Sequence, residues 1–119
     1  MSLARVMIVE DEPLTAMEEQ TVLQGLGYDV VAVTHTGEKA VVEAGELLPD
    51  IVLMDIKLAG PMDGKEAARL IRERHDILVL FVSAIKDQSI LEQGFPCVNK
   101  PFSQEELVKS VEQVLAGAG

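Results

Sequence analysis

Tryptophan is absent from this 119-residue chain, tyrosine occurs once and phenylalanine three times, and no basic run or aromatic-studded basic patch is present. Direct nucleic-acid binding needs a cationic surface for phosphates and aromatic faces for bases, so it is not expected. The single cysteine, Cys97, excludes an internal disulfide and a cysteine metal cage, and it fits a reducing compartment. No apolar run approaches membrane-spanning length, and the amino terminus leads straight into a strand-like run rather than a signal peptide. A cytoplasmic protein without membrane association is expected. Acidic residues outnumber basic ones 20 to 10, a balance that favours solubility and points to no particular partner. The length suits one domain over residues 1–119, and a 48% hydrophobic composition is enough for a packed core.

What the chain does have is a set of apolar runs that end in reactive side chains. Val6-Met7-Ile8-Val9 ends in Glu10-Asp11-Glu12, Ile51-Val52-Leu53-Met54 in Asp55, Leu78-Val79-Leu80-Phe81-Val82 in Ser83, and Cys97-Val98-Asn99 in Lys100-Pro101. Parallel strands of one sheet would bring these ends to the edge where open α/β folds bind ligands.

Helix-like segments lie between the strand-like ones. Pro13 opens a helix whose apolar positions Leu14, Met17, Thr21, Val22 and Leu26 recur at helical spacing, and Gly25 and Gly27 mark its end. Residues 29–33 read as a strand. A second helix over 38–48 presents Ala40, Val41, Ala44, Leu47 and Leu48 and closes at Pro49. Ala67, Ala68, Leu70 and Ile71 form the face of a third helix after a loop rich in glycine and proline, Ala59 to Gly64. Ser103 with Glu106 fits a capping box before a last helix carrying Leu107, Val108, Val111, Val114 and Leu115. Between Ser83 and Lys100 only Ile90 and Leu91 suggest a short helix. The alternation predicts a parallel sheet covered by helices on both faces.

Taken singly, each of these residues has an ordinary reading as a cap, a solvated acid or a loop residue. Together they form a chemical set. Crowded carboxylates repel unless a cation neutralises them, and hard oxygen ligands of this kind suit Mg²⁺ shared with phosphate oxygens. A carboxylate also serves as a phosphoryl-accepting nucleophile, while lysine and hydroxyl groups neutralise and position the phosphoryl oxygens.

Val9-Glu10-Asp11-Glu12, Met54-Asp55-Ile56 with Met62-Asp63-Gly64, Ser83-Ala84 and Lys100-Pro101-Phe102, in this order, resemble the receiver domains of bacterial two-component response regulators from Val6 to Leu115. The resemblance implies a flavodoxin-like, doubly wound sheet of five parallel strands in the order 2-1-3-4-5. It implies that Asp55 accepts phosphate from a histidine kinase or histidine phosphotransfer protein. Asp11, Asp55 and the backbone carbonyl of Lys57 would bind Mg²⁺, with Glu10 assisting through water. Ser83 would donate to one phosphoryl oxygen and Lys100 would pair with another, the Lys100-Pro101 bond being cis as in similar proteins. Ala84 would leave room for the phosphoryl group. The product is a switch that meets a downstream target protein and is not an enzyme.

Three departures stand out. The stretch from Ser83 to Lys100 is shorter than usual by rather more than one helical turn, so helix four is expected to be short, irregular or absent, and dimerisation through it is not expected. A monomer follows. Cys97 occupies the strand-five position that usually holds a tyrosine or phenylalanine; it reads as a small buried packing residue ahead of a redox group, with Phe95 or Phe102 as candidate replacements for the aromatic. One extra residue separates Asp55 from Gly64, and Lys57 and Ile85 flank the pocket. His35 and His75 fit no metal motif. A constitutive pseudo-receiver is the alternative function. A flavin carrier lacks its hydroxyl-rich loop here, and an aspartate-dependent phosphatase would want a second aspartate where Lys57 stands. The chain is expected to be either a stand-alone regulator or a receiver excised from a longer protein.

Overall fold

The computed structural model describes residues 3–117. Five strands, β1 (Arg5–Val9), β2 (Asp29–Thr34), β3 (Ile51–Met54), β4 (Leu78–Ser83) and β5 (Cys97–Asn99), form one parallel sheet in the order β2-β1-β3-β4-β5. Five helices connect them: α1 (Pro13–Gly25), α2 (Gly37–Leu47), α3 (Gly64–His75), α4 (Gln88–Glu92) and α5 (Gln104–Gly117). Strand alternation divides the core into two layers. Met7, Val9, Val52, Met54, Val79 and Phe81 pack against α2 and α3 through Ala40, Ala44, Ala67, Ala68 and Ile71. Val6, Ile8, Ile51, Leu53, Leu80 and Val82 pack against α1 and α5 through Ala16, Leu23, Leu107 and Val111. Coverage of both faces explains why the central strands are continuously apolar. Among the described residues no helix is long and apolar enough to cross a membrane.

The capping box anticipated from the sequence is formed. Ser103 Oγ accepts from the Glu106 amide at 3.0 Å, and Glu106 Oε1 accepts from the Ser103 amide at 3.3 Å. Asp63 caps α3 by accepting from the Glu66 amide at 2.9 Å. Helix α4 is short, as expected, with five residues. Such a helix has little stability of its own, and α3 ties it down. Lys65 pairs with Asp87 at 3.0 Å, while Arg72 donates to the Gln93 carbonyl and lies 3.9 Å from the centre of the Phe95 ring.

Three expectations are corrected. On α1, Leu14, Met17 and Leu26 are exposed, and the buried side carries Ala16, Glu19 and Leu23. Apolar residues surround this helix, so two faces satisfy helical spacing and periodicity cannot choose between them. The second helix ends at Leu47. Leu48 adopts the left-handed conformation (φ 49°) and is 58% exposed, because the residue before Pro49 is disfavoured from continuing the helix. Cys97 is half-buried rather than buried, since the short α4 leaves the edge strand β5 incompletely covered.

Candidate functional site

The sheet order reverses direction between β1 and β3, the place where open α/β sheets form a crevice at their carboxyl edge. Pairing of Val9 with Met54 and of Met54 with Phe81 sets the following residues side by side. The Asp55 amide donates to the Val9 carbonyl at 3.0 Å, and the Lys100 amide to the Ser83 carbonyl at 3.0 Å. A cavity of about 520 Å³ opens there, lined among others by Glu10, Asp11, Asp55, Lys57, Ser83 and Lys100. All six residues singled out from the sequence therefore meet in one place.

Carboxylate oxygens of Glu10, Asp11 and Asp55 lie within 4.8 Å of one another; Glu10 and Asp55 are buried and Asp11 is exposed. Lys100 reaches across the acids, its Nζ 2.7 Å from Glu10 Oε2 and 3.3 Å from Asp55 Oδ2. The other Asp55 oxygen, Oδ1, accepts from the Ile56 amide at 2.8 Å, which orients Oδ2 towards the lysine. Ser83 is fully buried, and its Oγ accepts from the Ile85 amide at 3.1 Å, leaving the hydroxyl proton free to donate elsewhere. The Lys100-Pro101 bond is cis, as the resemblance implies. Ala84 and Ile85 line the same cavity, and Ile85 is exposed.

The loop after Asp55 folds inward. Ile56 and Leu58 are buried, Ala59 bridges to Thr36, and Gly60 turns the chain at φ +89°. Of the aromatic residues, Phe95 is buried edge-on against Phe81, with ring centres 5.2 Å apart, whereas Phe102 is half-buried and lines the cavity. Phe102 is thus the aromatic ring at the site. Burial pushes the Cys97 thiol up, away from the reactive thiolate, which favours the packing reading of this residue. His35 donates through Nδ1 to the Glu10 carbonyl at 2.8 Å, a tie that the sequence does not reveal.

Charge balance in the site is tight. Burial, opposed by the Lys100 hydrogen bond and reinforced by the Asp55 charge, raises Glu10 to about 7. Burial also works against the charge on Lys100, but Glu10 and Asp55 more than offset it and raise the lysine, so the ammonium stays protonated. Sequence reasoning misses Glu19. Its side chain is 1% exposed, Oε2 has no hydrogen-bond partner, and burial followed by the Glu10 charge raises it to about 8.

These shifts predict how stability depends on pH. Glu10 and Glu19 hold protons more tightly in the folded chain, at about 7 and about 8, than at their ordinary 4.5. Their contribution is complete below pH 4.5 and is lost as pH rises through the folded values. Without divalent cations the thermal midpoint is expected to fall steadily from about pH 5 to about pH 8.5, and removing the Glu19 carboxyl should flatten that slope. Thermal melts at several pH values check this.

The family model of the response regulator receiver domain matches residues 6–112. The chain is 32% identical over 114 residues to the phyllosphere-induced regulator PhyR of Methylorubrum extorquens, covering 92% of this chain and 43% of that protein. It is 31% identical over 113 residues to the transcriptional regulatory protein PdtaR of Mycobacterium tuberculosis, covering 91% of this chain and 55% of that one. The chain thus spans about half the length of these curated relatives. Among solved structures, the signal receiver domain of a modulated diguanylate cyclase from Desulfovibrio desulfuricans superposes with a TM-score of 0.89 at 34% identity, covering 98% of this chain and 96% of that one. The receiver domain of the regulator NarL from Mycobacterium tuberculosis gives 0.88 at 28% identity, covering 98% and 99%.

Proposed function

Because this chain belongs to the response regulator receiver domain family of two-component systems, we propose that it is a phosphoacceptor, not an enzyme, and that phosphorylation of Asp55 switches its contact with a target protein. The observation that carries this reading is the buried Asp55 carboxylate beside Lys100, with Ser83 at the neighbouring strand end. The donor is a phosphohistidine of a histidine kinase or phosphotransfer protein. Asp55 Oδ2 attacks phosphorus, the bond to the donor imidazole nitrogen breaks, and the imidazole leaves with the electron pair. The Ile56 amide holds the other oxygen of the nucleophile in place.

Lys100 then exchanges Glu10 and Asp55 for a phosphoryl oxygen, and the Ser83 hydroxyl donates to a second. The carboxylate donors fit a hard cation: Asp11 and Asp55, with the Lys57 carbonyl, would hold Mg²⁺, and Glu10 would reach it through water. Bound there, Mg²⁺ supplies neutralising charge for the acids and the incoming phosphoryl oxygens. We place the protein in the cytoplasm and take it to act as a monomer. The test is phosphoryl gain, measured by intact mass after incubation with Mg²⁺ and acetyl phosphate.

The half-buried Cys97 in β5 and the five-residue α4 favour a second reading, a constitutive pseudo-receiver. Failure of Mg²⁺ and beryllofluoride to bind, measured by calorimetry, would decide for it.

A further inference from the structure

The three clustered acids differ in how they are held. Glu10 is engaged by Lys100 and by the Glu12 amide, and Asp55 by the Ile56 amide and Lys100. Among the described residues no donor is bonded to the carboxylate of Asp11, which is exposed, so its place is set by the backbone that carries it. That backbone is tied to the end of β2. The Glu10 amide donates to the Thr34 carbonyl at 2.9 Å and closes the β1–β2 ladder. The Glu10 carbonyl, which belongs to the peptide group joining it to Asp11, accepts from a side chain, His35 Nδ1, at 2.8 Å. Both hydrogen-bonding groups of Glu10 are thereby fixed from two consecutive residues. The same turn also braces the other loop of the site, because Thr36 bridges to Ala59, two positions beyond Lys57. A carbonyl oxygen only accepts, so Nδ1 carries the proton; it does so in the neutral tautomer and in the imidazolium alike, and the tie does not depend on the charge of the ring.

We propose that His35 is a positioning residue for the cation site: its imidazole fixes the Glu10–Asp11 peptide group, and with it the reach of the Asp11 carboxylate towards Mg²⁺. The role rests on the cation assignment made above for Asp11 and Asp55. Without the imidazole the Glu10 carbonyl turns to water, the peptide plane is free to rotate, and Asp11 shifts relative to Asp55 and the Lys57 carbonyl. Hydrogen bonds that orient a ligand from outside the metal's own shell are worth about tenfold to a hundredfold in metal affinity. His35 acts through one peptide group, which places it at the lower end of that range. An asparagine at position 35 carries its amide nitrogen on Cγ, as histidine carries Nδ1, and so presents a donor at the same point; an alanine presents none.

The experiment titrates the full chain, His35→Ala and His35→Asn with MgCl₂, reading the dissociation constant from amide chemical shifts, and then follows phosphoryl uptake from acetyl phosphate across the same Mg²⁺ range by intact mass. His35→Ala is expected to bind Mg²⁺ about tenfold more weakly. Its half-saturating Mg²⁺ for uptake should rise by the same factor, while the rate at saturating Mg²⁺ stays within about twofold of the parent, because Asp55, Ser83 and Lys100 are untouched. His35→Asn should stay within about twofold of the parent in both measurements. A residue that only supported the fold would lower the thermal midpoint without moving the Mg²⁺ constant of the folded chain. Parent-like Mg²⁺ binding by His35→Ala, the result if water replaces the imidazole at no loss, overturns the role, as does His35→Asn binding as weakly as His35→Ala. A parent that binds no Mg²⁺ overturns the cation assignment and this role with it, whereas a binding parent beside an unaffected His35→Ala removes the role alone.

Discussion

Asp55→Ala is expected to abolish phosphoryl gain while leaving the domain folded. Under Mg²⁺ and acetyl phosphate the parent should gain one phosphoryl mass, and the variant should fall at least about a hundredfold below it in rate. Geometry makes this loss complete, because neither neighbouring acid can take over. Glu10 is 1% exposed and engaged by Lys100 at 2.7 Å, and Asp11 is exposed at the rim, outside the hydrogen bonds to Ile56 and Lys100 that orient Asp55. The fold should tolerate the change. Alanine removes one negative charge from a group of three crowded carboxylates, and Lys100 keeps Glu10 as its partner. The thermal midpoint is therefore expected to stay near that of the parent or rise slightly. A variant that is labelled at the parent rate would show that Asp55 is not the acceptor.

Much of this architecture is legible in the sequence because the strands and the chemistry coincide. Val6 to Val9, Ile51 to Met54 and Val79 to Val82 are buried on both faces, so they read as continuous apolar runs, and each run stops where its site residue begins. Caps such as Ser103 with Glu106 are local and readable for the same reason. What is not legible is long-range or ambiguous. The pairing of Lys100 with Glu10 spans 90 positions, and no local pattern announces it. Helix α1 is apolar on more than one side, so Leu14 and Met17 read as core although Ala16 and Leu23 fill it. Glu19 is the sharpest case. An acid in a helix reads as a surface residue, and only the packed structure shows that this one is buried.

Gly64→Ala should have the largest effect on stability, through a contact that no side-chain inventory reveals. The Gly64 amide donates to the Ile56 carbonyl at 2.7 Å, closing the β3–α3 loop onto the backbone that carries Asp55. A Cβ at Gly64 would overlap the Asp55 carbonyl oxygen and come within 2.9 Å of Ile56 Cα. These are backbone atoms of a buried strand end and cannot swing aside as a flexible side chain can. Relief requires either α3 or the loop to move, at a cost of about 3 kcal/mol or more. The thermal midpoint should fall by roughly 10 °C. Phosphoryl uptake should fall as well, because the displaced segment positions Asp55 and the Lys57 carbonyl, and misplacement by about 1 Å is enough to slow such chemistry about a hundredfold. Gly25 provides the contrast. It lies at the end of α1, and a Cβ there would meet nothing within 4 Å, so Gly25→Ala should leave uptake unchanged and add a few tenths to about 1 kcal/mol of stability. Thermal melts of the two variants, paired with the uptake assay, check both statements. A Gly64→Ala protein as stable and as active as the parent would mean that the loop has room to shift and that the close approach of Gly64 to Asp55 does not position the acceptor.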